Sequence, residues 1–107
     1  MNPLKDPNDP DEATRVINSY AASDWTKFTY STHGRQQMGG RIVPIDLVQM
    51  VLREGKVVEI REEVRGKHLC HSYRVDMTDV YGRATVVTAI VAAHHLLIVT
   101  AFTDIPD

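Results

Sequence analysis

The stretch Lys56-Val57-Val58-Glu59-Ile60-Arg61-Glu62-Glu63-Val64-Arg65-Gly66-Lys67-His68-Leu69-Cys70-His71-Ser72-Tyr73-Arg74-Val75-Asp76 decides the fold. Val58, Ile60 and Val64 alternate with Glu59, Arg61 and Glu63, the two-residue period of a strand with one covered face. Gly66-Lys67 reads as a turn. Beyond it Leu69, His71, Tyr73 and Val75 alternate with Cys70, Ser72, Arg74 and Asp76, so a hairpin is predicted. Within its second strand His71 and Tyr73 share one face and Arg74 takes the other.

Downstream, a loop containing Asp79 and Gly82 precedes two segments, Arg83–Val91 and Leu96–Thr103, that are rich in Val, Ile and Thr as buried strands are. The turn between them, Ala92-Ala93-His94-His95, holds no Gly, Asn or Asp. A helix over 84–95 competes with this reading, and the β-branched residues argue against it.

Upstream, the period is helical. Asp9 is a cap, Pro10 suits the first helical position, and Glu12 stands at capping-box spacing. Ala13, Val16, Ile17, Tyr20 and Ala21 then form one apolar face, predicting a helix over 10–22. Trp25–Tyr30 reads as a short extended entry segment. Ser31 or Thr32 caps a short second helix that Gly39-Gly40 ends. Pro44 opens a third helix with Ile45, Leu47, Val48, Val51 and Leu52 apolar, and Gly55 fills a left-handed C-cap. Helices followed by an antiparallel meander make an α+β domain, with N-terminal helices packed on one face of a four-stranded antiparallel sheet. Residues 1–8, with two prolines and little to bury, read as a flexible arm before a single domain over 9–107.

The chain has 107 residues, 43% of them apolar and 24% charged, the balance of one globular domain. Its single cysteine excludes an intramolecular disulfide and fits a reducing compartment. No apolar run approaches the roughly 20 residues that span a bilayer, and the N-terminus lacks the apolar stretch of a secretory signal. A cytoplasmic protein with no membrane partner is expected. The net charge of −2 argues against bulk polyanion binding. It also hides a segregation, because residues 1–24 carry −3, residues 25–74 carry +4 and residues 75–107 carry −3. The basic middle could steer an anionic partner, or the alternating charges of Lys56–Lys67 could be a solvated strand edge.

Chemistry concentrates in Tyr30-Ser31-Thr32-His33-Gly34-Arg35-Gln36-Gln37-Met38-Gly39-Gly40-Arg41. A histidine in the first turn of a short helix is disfavoured as imidazolium by the helix dipole, and a neutral imidazole suits a general base. Arg35 and Arg41 can each hold a phosphate or carboxylate through two parallel hydrogen bonds. The plainer reading makes His33 a local cap and the arginines solvated.

The pattern Ser31-x-His33-Gly34-x-x-Gln37-Met38-x-x-Arg41, followed by a helix ending Val51-Leu52-Arg53-Glu54-Gly55, resembles a small bacterial family, domain of unknown function 4258. The likeness covers residues 28–103. The family usually continues Arg-Gly-Ile-Ser where this chain has Arg41-Ile42-Val43-Pro44, which alters the capping of the third helix. The resemblance implies a fold similar to the compact RNases of bacterial conflict systems, the barnase, EndoU, colicin and RelE-like superfold. It further implies metal-independent RNA cleavage, in which a 2′-hydroxyl attacks its own phosphate. By position, His33 and Arg41 match the family histidine and arginine, and Thr100 in the last strand matches the family threonine. Arg35 and Arg74 are added from chemistry as phosphate-binding groups. The expected partners are RNA and a cognate protein inhibitor.

No cofactor is expected. His68, Cys70, His71, His94 and His95 could supply zinc ligands, yet neighbours on a strand point to opposite faces and no C-x-x-C or H-x-x-x-H pair is present. His94-His95 reads as an exposed turn, Cys70 as a buried filler, and Met38 and Met50 as core. Two functions stay open: a small metal-independent ribonuclease, as toxin or effector of a conflict system, and a non-catalytic binding domain on the same fold. Scattered aromatics and the slightly acidic total weigh against tight, salt-dependent RNA binding.

Overall fold

The computed structural model describes residues 4–31, 45–79 and 82–103. Helix α1 spans Pro10–Ala22 and strand β1 Lys27–Tyr30. Helix α2 spans Ile45–Glu54, and four strands follow: β2 Lys56–Arg65, β3 His68–Asp79, β4 Gly82–Ala92 and β5 His95–Thr103. The short helix expected after Ser31 lies outside the described residues.

The α+β class holds, but the sheet has five strands in the order β1-β5-β4-β3-β2 and is mixed. β1 pairs parallel to β5, Lys27 opposite His95 through Tyr30 opposite Ile98, while the other neighbours are antiparallel. The expectation of four antiparallel strands fails because the entry segment before Ser31 is itself a strand. The helices are not all N-terminal to the sheet either, since β1 separates α1 from α2. A four-residue strand whose partner lies nearly 70 residues away carries no local pairing signal, and parallel neighbours need a long crossover.

α1 begins where its caps dictate. The Asp9 carboxylate accepts from the amides of Asp11 (3.0 Å) and Glu12 (3.4 Å), and Pro10 takes the first position. Glu12 does not close a capping box on Asp9. It reaches further back, accepting from the amides of Lys5 (2.7 Å) and Asp6 (3.0 Å). The N-terminal segment therefore has something to bury and something to hold it. Leu4 belongs to the core, Asn8 Nδ2 donates to Glu62 Oε1 at 2.8 Å, and the Tyr73 hydroxyl donates to the Pro7 carbonyl at 2.9 Å.

The core lies between the helices and one face of the sheet. Ala13 and Ile17 of α1 and Val48, Val51 and Leu52 of α2 meet Val57, Tyr73, Val75, Ala84, Val86, Leu96, Ile98 and Ala101. Burying each of the Val, Leu and Ile side chains among these is worth about 1.5–3 kcal/mol against leaving it exposed. Met50 is not core, for it stands on the outer side of α2. Gly55 joins α2 to β2 without a left-handed backbone, contrary to the expected C-cap. What demands glycine is close approach: a Cβ there would meet the Val51 carbonyl, Val75 Cγ1 at 2.8 Å and the Asp76 carbonyl at 2.9 Å.

Within β2 two irregularities break the simple alternation. Between Val57 and Glu59 the β2–β3 register slips by one residue, so Val57 faces the core and Val58 is exposed. At the far end of the hairpin Val64, opposite Leu69, is 74% exposed, because the apolar alternation outruns the helices that would cover it. The predicted Gly66-Lys67 turn is present, with Gly66 at φ 64°.

β4 and β5 are strands, which excludes the helix over 84–95. Their turn places His94 at φ 56°, a region His tolerates better than most residues. The imidazole is sandwiched rather than solvated, 3.9 Å from the Trp25 ring centroid and 4.5 Å from that of Tyr20, while the His94 carbonyl accepts from the Lys27 amide at 2.8 Å. The hairpin turn thus docks on the α1–β1 connection.

Candidate functional site

The sheet face away from the helices carries a cavity of about 340 Å3. Period-two alternation in β3 puts Ser72 and Arg74 on this face and Tyr73 and Val75 in the core. β2 contributes Glu59, Arg61 and Glu63, which stand opposite Arg74, Ser72 and Cys70 respectively.

Thr100 reaches the cavity through a bulge. Thr88 pairs with Ile98, but Val87 pairs with Thr100, leaving Val99 as an extra residue in β5. Leu96 and Ile98 point into the core. Strict alternation would send Thr100 there too, whereas the bulge turns Ala101 inward and Thr100 and Phe102 outward. Glu59, Arg74, Val87 and Thr100 consequently form one row across four strands. At about 4.8 Å per strand, the backbones of Arg74 and Thr100 stand roughly 10 Å apart across the sheet, and both side chains line the cavity.

Charges on this face come in pairs. Arg61 Nε donates to Glu59 Oε1 at 2.6 Å, and this hydrogen bond holds the Glu59 carboxyl below the usual carboxylate range. Arg74 Nε donates to Asp76 Oδ1 at 3.4 Å, and its guanidinium lies 5.5 Å from the Phe102 ring centroid. Asp76 Oδ1 also accepts from the buried Thr85 hydroxyl at 2.7 Å, so the carboxylate that orients Arg74 is itself fixed. The positive face that the basic middle of the chain could have formed does not arise at the cavity, where each guanidinium has a carboxylate beside it.

Of the site residues expected from sequence, Arg74 and Thr100 meet in this cavity. His33, Arg35 and Arg41 lie outside the described residues. Phe102, Ser72 and the pair Glu59 and Arg61 line the cavity unanticipated. The alternation of Lys56–Arg65 carries the signal for Glu59 and Arg61, which share the face opposite Val57 and Ile60. The zinc set is dispersed: Cys70 stands opposite Glu63 on the cavity face, and His71 opposite Glu62 on the helix face. His95 Nε2 is engaged with Thr29 Oγ1 at 3.1 Å. Cys70 is half-buried rather than a core filler.

An α+β domain with a polar, charge-paired cavity on the open face of a mixed sheet is the class this geometry defines. The family described as Domain of unknown function (DUF4258) matches over residues 30–103, and the chain belongs to that family. The matched span starts at the last residue of β1 and runs to the last residue of β5, so it takes in α2, β2–β5 and every residue that lines the cavity. No curated protein and no solved structure matches the chain. No helix among the described residues is long and apolar enough to cross a membrane.

Proposed function

We propose that the protein is a small metal-independent ribonuclease that receives RNA on the open face of its sheet. The observation that carries this reading is the arrival of Arg74 and Thr100, from strands separated in sequence, in one cavity. The chemistry follows the family resemblance. A neutral His33 takes the proton of a 2′-hydroxyl as that oxygen bonds to the adjacent phosphorus, and Arg41, with Arg35, balances the charge on the pentacovalent phosphate. The bond to the 5′-oxygen breaks, that oxygen gains a proton, and a cyclic phosphate remains. Thr100 offers a hydroxyl to the reacting region. A toxin or effector working in a bacterial cytoplasm, restrained by a cognate protein inhibitor, is the setting this activity suits.

A second reading, a non-catalytic binding domain, is favoured by the pairing of each cavity arginine with a carboxylate, which weakens the grip on a phosphate. Incubating purified, folded protein with several RNAs decides between them. Cleavage that survives EDTA, falls at least about a hundredfold in His33→Ala, the usual contribution of one acid–base group, and is weakened in Thr100→Ala supports the ribonuclease. RNA left intact by protein with a cooperative unfolding transition overturns it.

A further inference from the structure

We infer that the cavity on the open sheet face binds a nucleobase, guanine, rather than a phosphate. The inference rests on the open-face reading above only for where RNA lies, not for whether RNA is cut. Two guanidiniums and two carboxylates line the cavity, Arg61 and Arg74 against Glu59 and Glu63. A wall with no net charge gives a phosphate no electrostatic advantage over water. What it offers is donors beside acceptors over an apolar surface, which suits a flat neutral ligand carrying both on its rim.

Geometry narrows the ligand. Glu59 Oε1 is held by Arg61, and a carboxylate has about four acceptor positions, so Oε2 can accept further N–H groups. Guanine has a ring N–H next to an amino group, two parallel donors for one carboxylate. Its O6 and N7 form two neighbouring acceptors, the commonest specific partner of an arginine. Arg74 stands directly opposite Glu59 in the β2–β3 register. Its Nε is turned to Asp76, which leaves the Nη edge for such acceptors. Phe102 and the methyl groups of Val87 and Val99 give the apolar ground on which a base lies, as unstacked bases do in single-stranded RNA recognition. Adenine and cytosine each offer a single donor group and leave half of the carboxylate unmatched.

The cavity in this role needs no catalysis to be tested. Guanosine, adenosine, cytidine and inorganic phosphate are titrated separately into the intact protein, with binding followed by calorimetry and by NMR shifts of Phe102 and of its strand neighbours. Guanosine is expected to bind at least about tenfold more tightly than the other nucleosides, the discrimination expected of one bidentate pair, and phosphate is not expected to shift these signals. Glu59→Gln, at a half-exposed site, is expected to remove that preference while the unfolding transition stays in place. Arg74→Lys keeps the charge but not the fork, and should weaken guanosine similarly. Saturable binding of phosphate at Phe102, equal affinity for all nucleosides, or no nucleoside binding overturns the inference. Guanosine binding with RNA left intact removes the ribonuclease and leaves the pocket. RNA cleavage without guanosine binding does the reverse.

Discussion

Asn18, on α1, donates its side-chain amide to the Leu52 carbonyl at 2.7 Å and the Gly55 carbonyl at 3.1 Å. Those oxygens belong to the last turn of α2 and the residue after it, which have no partner further along the helix. One helix therefore supplies the cap of the other, and the packing of α1 on α2 is fixed in register as well as in area. Asn18→Ala should leave both carbonyls half-buried without that donor. The expected cost is about 1–2 kcal/mol, read as a fall of several degrees in the thermal midpoint by circular dichroism. An unchanged midpoint would show that solvent replaces the amide at no cost.

Gly55 lies at the same junction and constrains it from the other side. The Val51 and Asp76 carbonyls that a Cβ would strike are backbone atoms held in α2 and β3, so they cannot rotate away. Gly55→Ala is expected to lower the denaturant midpoint with an unchanged slope, by about 1–3 kcal/mol, the range for overpacking. The substitution would be neutral if the position needed glycine only for flexibility.

Signals that lie close together in the chain were legible, and those that depend on distant partners were not. Asp9-Pro10 fixes the start of α1 because both act within one turn. The face of Arg74 follows from alternation within β3 alone. β1 is legible as extended backbone but not as a member of the sheet, because only its pairing with β5 makes it one. The resemblance points to Thr100, but its exposure on the cavity face depends on the bulge at Val99, and nothing in Leu96–Thr103 announces an extra residue. His94 carries no turn signal of the usual kind, and the rings it packs against at its positive φ, Trp25 and Tyr20, come from another part of the chain.

Glu12 ties the N-terminal segment to α1 through two amides, and those hydrogen bonds, from Lys5 first and then Asp6, hold its carboxyl below the ordinary value of 4.5. A carboxyl whose folded value is depressed stabilises the fold above its unfolded value, and this contribution is lost as pH falls through the folded value. Glu12→Gln removes that titration. The wild type should therefore lose stability more steeply than the variant on acidification below about pH 5, measured by urea midpoints across the acid range. Parallel pH profiles would mean that the Lys5 and Asp6 amides contribute nothing to holding the segment.

Tyr73 behaves in the opposite sense at the other end of the pH scale. Burial pushes its hydroxyl up to about 12, with the charges of Glu12 and Asp6 adding to the effect, and the hydroxyl donates to the Pro7 carbonyl. The unfolded chain ionises near 10, so the stabilisation is complete below that value and is lost between about 10 and 12. In an ultraviolet titration of the four tyrosines, Tyr30, which burial also raises, should ionise above the ordinary value, and a separate last step, that of Tyr73, should wait until the fold gives way. Tyr73→Phe should abolish that late step and cost about 1 kcal/mol at neutral pH for the lost hydrogen bond. A late step that persists in the variant would assign it to another tyrosine.

His94 joins two demands at one residue, a positive φ and an aromatic ring between Trp25 and Tyr20. Two substitutions separate them. His94→Gly keeps the backbone geometry at no steric cost and removes only the ring. His94→Val removes the ring and also forces a β-branched residue into the left-handed region, which costs about 1–2 kcal/mol more. Both variants should change the emission of Trp25, the only tryptophan, because both lose the stacked imidazole. The valine variant should also unfold at a lower denaturant concentration than the glycine variant. Equal stabilities would mean that the turn relaxes to another backbone geometry without the β4–β5 register depending on it. If emission stays constant in both, the Trp25 stack is not what holds the hairpin turn against the α1–β1 connection.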